Sequence, residues 1–407
     1  MEKSNTSTAT SIRLSIMMFL QFFIWGSWFV TVGNYMTKEG MASAIGWAYS
    51  VGPLAAIISP LFLGAIADRF FPSEKVLGIV HIIGGLFVFL APSFASAENT
   101  TPFILLLLGH TLFYMPTLGL TNTLCFHNMD RPEKQFPLIR VFGTIGWIAA
   151  NVVVSKWLKA DELALPLQIA GGAAILMGLY SFTLPHTPPP AKGQAIKVRE
   201  ILGLDALSLL KDRSFLIFII SSLLICIPLS AYYAFAPVYI NAAGVEDPAF
   251  NMSFGQVSEI VFMVLLPVFL TRFGFKWVLA IGMLAWVVRY ALFGFGAIDS
   301  SYAMLLGGIV LHGICYDFFF VTGQIYTDKK ADKRIRGQAQ GFLVLATLGL
   351  GMFIGAQASG QLFNAMGLAD DTGNLALWKQ FWFVPAGLAL VILFVFLVLF
   401  KDKKEEA

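Results

Sequence analysis

The sequence predicts an all-α membrane protein: twelve transmembrane helices arranged as two six-helix bundles. Three observations point there. Hydrophobic residues make up 57% of the 407 and charged residues only 13%, too apolar for a water-soluble chain of this length. Twelve windows stay apolar over about 20 residues, the length that crosses a hydrocarbon core of ~30 Å. They run 13–36, 43–66, 76–95, 102–126, 137–158, 164–185, 214–239, 253–271, 277–296, 301–326, 336–364 and 376–400. The longest polar stretch, 186–213, separates the sixth from the seventh. The expected division is an N-terminal bundle over 1–185, a cytoplasmic linker over 186–213 and a C-terminal bundle over 214–407.

Charge placement supports this topology. Of the 27 Lys and Arg residues, only Lys38, Lys156, Lys159 and Lys379 fall on one side, and Arg289 lies within a span. The others, from Lys3 and Arg13 to Lys404, share the opposite side, so the positive-inside rule makes both termini cytoplasmic. A net charge of +3 dispersed among short loops gives no basic patch for nucleic acid. Cys125, Cys226 and Cys315 sit in apolar segments at no metal-ligand spacing, which argues against a disulfide framework or zinc site. Met1 to Arg13 lacks a small-residue cleavage site, so the first span is expected to be retained.

In chain order, span one offers Gln21, Trp25, Trp28 and Asn34, of which Gln21 is expected to face a cavity. After span two, Gly64, Asp68, Arg69 and Lys75 form a short charged turn, echoed after span eight by Arg272, Gly274 and Lys276. Such a recurrence marks a parallel internal repeat. It is either a latch between helices, with Asp68 and Arg69 as gating residues, or ordinary anchoring charge. His81 and His110 read as hydrogen-bonded packing residues. Span four contains Pro116 and Gly119, which favour a kink, with Asn122 as a second cavity candidate. Span five places Arg140, Thr144 and Trp147 at i, i+4 and i+7, so a cation, a hydroxyl and an aromatic plate share a face. Arg140 either binds a ligand there or snorkels to the interface. The linker opens on a Pro run, followed by an amphipathic segment around 201–210 suited to the membrane surface.

In the second half, Pro228 precedes Ser230, Tyr232 and Tyr233, a further cavity candidate. Span eight carries Gln256 and Glu259 one turn apart, with no Lys or Arg within a turn of Glu259. That carboxyl is either a proton carrier or a structural acid paired across helices. Span nine holds Arg289. Span ten holds His312, Tyr316 and Asp317, with Asp317 rotated about 100° from Tyr316 on an ideal wheel. Asp317 is therefore expected to face a neighbouring helix, with Arg289 as its partner in either an architectural pair or a proton relay.

Ionisable residues at bilayer depth cost roughly 2.5–3.5 kcal/mol each even on lenient scales, so they usually face a partner or a watery cavity. Arg140, Glu259, Arg289, His312 and Asp317 thus outline a transport pathway. No P-loop, metal-spaced set or hydrolase order accompanies them. Neither enzyme chemistry nor a cofactor is expected, and the driving force falls to an ion gradient or to the substrate itself.

At Phe19–Trp28, Tyr114–Leu120, Arg140–Gly146, Ser258–Glu259 and Tyr316–Phe319, the chain resembles the bacterial nucleoside:proton symporters, a nucleoside permease group of the major facilitator superfamily. The resemblance covers nearly the whole chain. It implies a major facilitator fold in the bacterial cytoplasmic membrane, nucleoside and protons as cargo, and a monomer. It also implies that Arg140, Thr144, Gln256 and Glu259 line the nucleoside cavity, that Trp147 and Tyr316 wall the base, and that Asp317 is an acid linked to transport. His312 stands where the family has an aromatic. Span seven departs from the family's amide-rich pattern, offering Ser230, Tyr232 and Tyr233. A sugar or oligosaccharide proton symporter on the same fold, and a sensor or channel without accumulation, remain the alternatives.

Overall fold

The computed structural model describes residues 7–59, 69–189 and 204–401, and every regular element among them is helical. The first half contains α1 (Thr8–Phe29), α2 (Val32–Lys38), α3 (Ile45–Ser59), α4 (Ser73–Leu90), α5 (Thr101–His127), α6 (Pro132–Asn151) and α7 (Leu165–Ser181). The second contains α8 (Arg213–Ala242), α9 (Phe254–Gly296), α10 (Tyr302–Val310), α11 (His312–Tyr316), α12 (Thr322–Lys330), α13 (Arg336–Val344), α14 (Met352–Ala365) and α15 (Leu375–Leu399). Side-chain caps start several of them: Ser7 Oγ accepts from Thr10 N, Asp212 Oδ1 from Ser214 N and Phe215 N, and Asn374 Oδ1 from Leu377 N. Each satisfies an N–H that the first helical turn leaves open.

Among the described residues, ten helical runs are long and apolar enough to cross a membrane. The expected span 164–185 is represented by α7, a shorter apolar helix of 17 residues. The expected spans 253–271 and 277–296 share one run, α9, interrupted only at Gly274 with φ 74° and ψ 175°. The second charged turn is thus a single-residue break, in a conformation that glycine reaches without steric cost. Gly64 and Asp68 of the first charged turn lie outside the described residues. Large apolar side chains such as Leu138, Val264 and Phe394 face outward, as a bilayer-covered surface requires.

The chain forms two compact units, Met1–Ala44 with Leu54–Ile196, and Ile45–Pro53 with Lys197–Ala407. In the first unit, α1 packs on α6 and α4 on α7. In the second, α9 packs on α15 and α8 on α14 around a cluster of aromatics, including Tyr239, Phe293, Trp378 and Trp382. Residues 45–53 join this unit, and Gln357 Nε2 donates to Ser50 Oγ at 2.7 Å. Lipid is as apolar as these side chains, so close packing and internal hydrogen bonds hold such helices together.

The start of the expected linker is bolted to the first unit. Glu74 is 4% exposed; its Oε1 lies 2.9 Å from His186 Nδ1 and its Oε2 accepts from Thr187 N at 3.0 Å. Residues 190–203 of the linker lie outside the described residues. Beyond them, one face of the amphipathic segment packs on protein, while Leu204 and Leu207 stay exposed. Ala206 is buried against Ala331, Ile335 and Ala339, and Gln338 Nε2 donates to Asp205 Oδ2 at 3.2 Å.

Candidate functional site

Two glycines of α6 set the geometry of the first unit. A Cβ on Gly143 would stand 2.6 Å from the Phe22 ring and one on Gly146 would strike the Phe19 carbonyl, so α1 and α6 cross at near-backbone contact. This crossing cradles the expected ligand-binding face. The Arg140 guanidinium lies 4.2 Å from the Phe22 ring centroid, a cation–π arrangement. Trp147 meets Trp25 edge-on at 5.6 Å and Phe29 at 6.1 Å. Thr144, half-buried, lies between them on α6. Phe22 is the member that sequence reasoning missed: nothing in the order of residues shows that it would support Arg140.

Gln21 departs from expectation. It is fully buried; its Nε2 donates to Thr117 Oγ1 at 2.7 Å, and its Oε1 accepts from His81 Nε2 at 2.9 Å. Its backbone carbonyl accepts from the Tyr114 hydroxyl. The residue ties α1 to α4 and α5 and does not offer its amide to a cavity. His81 belongs to this network, and His110 Nδ1 donates to Gly84 O at 2.9 Å, so both histidines are hydrogen-bonded packing residues. Asn122 is half-buried further along α5.

In the second unit, Ser258 joins α9 to α11. Its Oγ accepts from Gly313 N at 2.9 Å and donates to Gly255 O at 2.7 Å. A Cβ on Gly313 would stand 2.6 Å from the Ser258 backbone. Gln256 and Glu259, both half-buried, flank this junction. From its other side rises an aromatic group around His312. The imidazole stacks on Tyr232 at 5.6 Å and 19°, meets Tyr233 edge-on at 6.1 Å and lies 5.8 Å from Tyr316. His312 Nδ1 and Gln256 Oε1 are buried atoms with no hydrogen-bond partner among the described residues.

Ser230 lies on α8. It is fully buried, and a Cβ on Gly355 of α14 would lie 2.7 Å from its own Cβ; it packs between α8 and α14. The expected Arg289–Asp317 pair is also absent among the described residues. Arg289, fully buried, places its guanidinium carbon 3.9 Å from the Tyr232 centroid and donates from Nε to Gly308 O at 2.9 Å. Asp317 is fully buried with neither carboxylate oxygen hydrogen-bonded among the described residues, and it lies within electrostatic range of Glu259. Asp317 opens a π-helical stretch, Asp317–Val321, where the turn widens.

The chain as a whole is similar to known proteins. A family model described as nucleoside H+ symporter matches residues 8–405. The chain belongs to the nucleoside H+ symporter family. Among its relatives is the putative nucleoside transporter YegT of Escherichia coli K12, 40% identical over 98% of this chain and 95% of that protein. The xanthosine permease of the same organism is 32% identical over 96% of each chain. The crystal structure of the nucleoside transporter NupG superimposes with a TM-score of 0.85 at 33% identity, over 97% of this chain and 100% of that one. This member of the symporter family is therefore a multi-pass membrane transporter of the major facilitator type, not an enzyme.

Proposed function

We propose that the protein carries nucleosides together with protons across the bacterial cytoplasmic membrane by alternating access. The observation that carries this reading is the junction of Ser258 with Gly313. It sets an amide and an acid, Gln256 and Glu259, beside the aromatic group of His312, Tyr233 and Tyr316. A nucleoside needs this combination: polar partners for ribose hydroxyls and flat rings for the base. Arg140, Thr144, Gln256 and Glu259 are assigned to ligand contact, with Trp147, Tyr316, Tyr233 and His312 as walls for the base. Glu259 and Asp317 are assigned to the proton, and Arg69 to the gating turn.

The same reading counts α7 and the two parts of α9 as spans. This gives twelve helices in two six-helix bundles, 1–185 and 214–407, with both termini cytoplasmic and the chain working as a monomer without nucleic-acid partners. A proton entering with a neutral nucleoside contributes about 2.3 kcal/mol per 100 mV of membrane potential, sufficient for uphill uptake.

The test is uptake by the purified protein in sealed liposomes under an imposed proton gradient, with labelled nucleosides, free bases and sugars. Nucleosides should accumulate above equilibrium and lose that accumulation with an uncoupler. Full competition by a base-less sugar would make the protein a sugar symporter. Binding without accumulation would make it a sensor or channel.

A further inference from the structure

The outer face of the first unit carries a groove of about 740 Å³, lined by none of the residues assigned to transport. Its floor is one stripe of α1 in which Ser11, Ile12, Ser15, Ile16 and Phe19 recur at helical spacing. Phe142 of α6 also lines it, as do Leu176 and Tyr180 of α7. Its lining is almost wholly apolar along its length, from Thr8, Ser11 and Ser15 near the α1 N-terminus to Phe19, Leu20 and Phe142 at the far end.

Near the N-terminal end, outside the lining itself, stands Arg13, an exposed cation in a helix whose first turn has no acidic residue. Its guanidinium donates to Thr183 O at 3.3 Å, and its carbonyl accepts from the Tyr180 hydroxyl at 3.1 Å. These contacts hold it beside the groove mouth. From Thr8 to Leu20 the helix rises about 18 Å at 1.5 Å per residue. That is close to the ~15 Å that one leaflet contributes to a ~30 Å hydrocarbon core. A membrane-crossing helix of a second protein would need a groove about twice as long.

We infer that this groove holds one acyl chain of an anionic phospholipid, with the chain along the apolar α1 stripe and the phosphate at Arg13. Guanidinium and phosphate form charge-assisted, often bidentate, hydrogen bonds. Basic residues at a membrane boundary attract anionic lipid. The site requires only that the α1 N-terminus lie at a membrane–water boundary, and it does not depend on the transported substrate.

The test is native mass spectrometry of the full, delipidated protein in detergent, with palmitoyl-oleoyl phosphatidylglycerol or phosphatidylethanolamine added. One phosphatidylglycerol adduct should survive activation that strips phosphatidylethanolamine. Arg13→Gln should lower its retention about fivefold, to the phosphatidylethanolamine level. Ser15→Trp, which fills the groove from its floor, should remove the adduct. Leu176→Trp fills it from the α7 side and serves if Ser15→Trp fails to fold, as judged by thermal unfolding. Equal retention of the two lipids, or an adduct unchanged in a folded Trp variant, would overturn the inference. A dimer mass that disappears in the Trp variants would assign the groove to a second copy of the chain. Nucleoside uptake is read separately, so failure of the lipid site and failure of the proposed transport remain distinct.

Discussion

Arg289 lies with its guanidinium carbon 3.9 Å from the ring centroid of Tyr232, both residues fully buried in the second unit. The same side chain donates to Gly308 O, so one cation fastens α8, α9 and α10 together. A desolvated cation–π pair is worth about 2 kcal/mol. Arg289→Gln and Tyr232→Leu should therefore be coupled by about 1–2 kcal/mol in a double-mutant cycle of unfolding in detergent. Arg289→Gln and Asp317→Asn should be additive within about 0.5 kcal/mol. The charge-swapped Arg289→Asp with Asp317→Arg should not restore folding; recovery would mean that the two side chains meet after all.

Arg140 and Thr144 share the α6 face that Phe22 supports. Arg140→Ala should abolish nucleoside binding while the protein still inserts, and Thr144→Ala should weaken binding by about 0.5–1.5 kcal/mol, the scale of one net hydrogen bond. Equilibrium binding of labelled nucleoside checks both. Normal uptake by Arg140→Ala would reduce that residue to an interfacial anchor.

Glu259 and Asp317 are expected to separate by assay. Glu259→Gln mimics a protonated acid, so it should lose gradient-driven accumulation yet still exchange labelled for unlabelled nucleoside. An affinity loss of about 1–3 kcal/mol from a broken ribose contact is compatible with this role. Asp317→Asn should lower transport more than binding, because its buried carboxyl stands in the π-helical stretch behind the aromatic group. Full accumulation by Glu259→Gln would move the proton to Asp317, and equal losses of binding and transport in Asp317→Asn would place Asp317 against the ligand.

Gln21→Leu should act on stability rather than on substrate. It leaves His81 Nε2 without its acceptor inside the first unit, a penalty of about 1–3 kcal/mol, while nucleoside affinity stays within about twofold. A large affinity loss at unchanged unfolding temperature would restore Gln21 to the ligand site.

Asp212 gives a pH signature outside the membrane. Burial pushes its carboxyl up, but hydrogen bonds from Lys330 Nζ and from the Phe215 and Ser214 N–H groups outweigh burial and hold it below the ordinary aspartate range. A depressed acid contributes stability above its unfolded pKa of about 3.9 and loses it as pH falls through the folded value. The contribution should be flat from about pH 5 to 8 and fade in more acidic solution. The pair is substantially exposed and its effect correspondingly small. Unfolding temperatures of wild type and Asp212→Asn should converge on acidification; a gap independent of pH would remove the linkage.

Much of this architecture was legible from apolar length, because the bilayer imposes it. The face of Arg140, Thr144 and Trp147 was legible too, since α6 keeps a regular period across it. Partner choice was not. Arg289 looked destined for Asp317 because both are charged, yet an aromatic face and a carbonyl occupy it. Gln21 looked like a ligand contact because it is polar in an apolar span, and the same polarity serves a hydrogen-bonded tie to His81 and Thr117. The widened turn at Asp317–Val321 was not legible either, because a uniform wheel assigns every residue the same angle. Ser258 needs Gly313, 55 positions away, and no local pattern announces such a pair.

The widened turn has a consequence for how this helix can change. An α-helix advances about 100° per residue, so one residue accommodated in Asp317–Val321 offsets everything after it by about that angle. The stretch acts as a vernier: Phe318 reaches Phe262 and Phe269, while Phe319 and Phe320 reach Trp286. Exchanging one of these aromatics for another alters a contact. Deleting a single residue here would let the turn close to regular α geometry with Thr322–Lys330, and Lys330 beside Asp212, still in place, whereas the same deletion in the regular helix that follows would swing Lys330 away by about 100°.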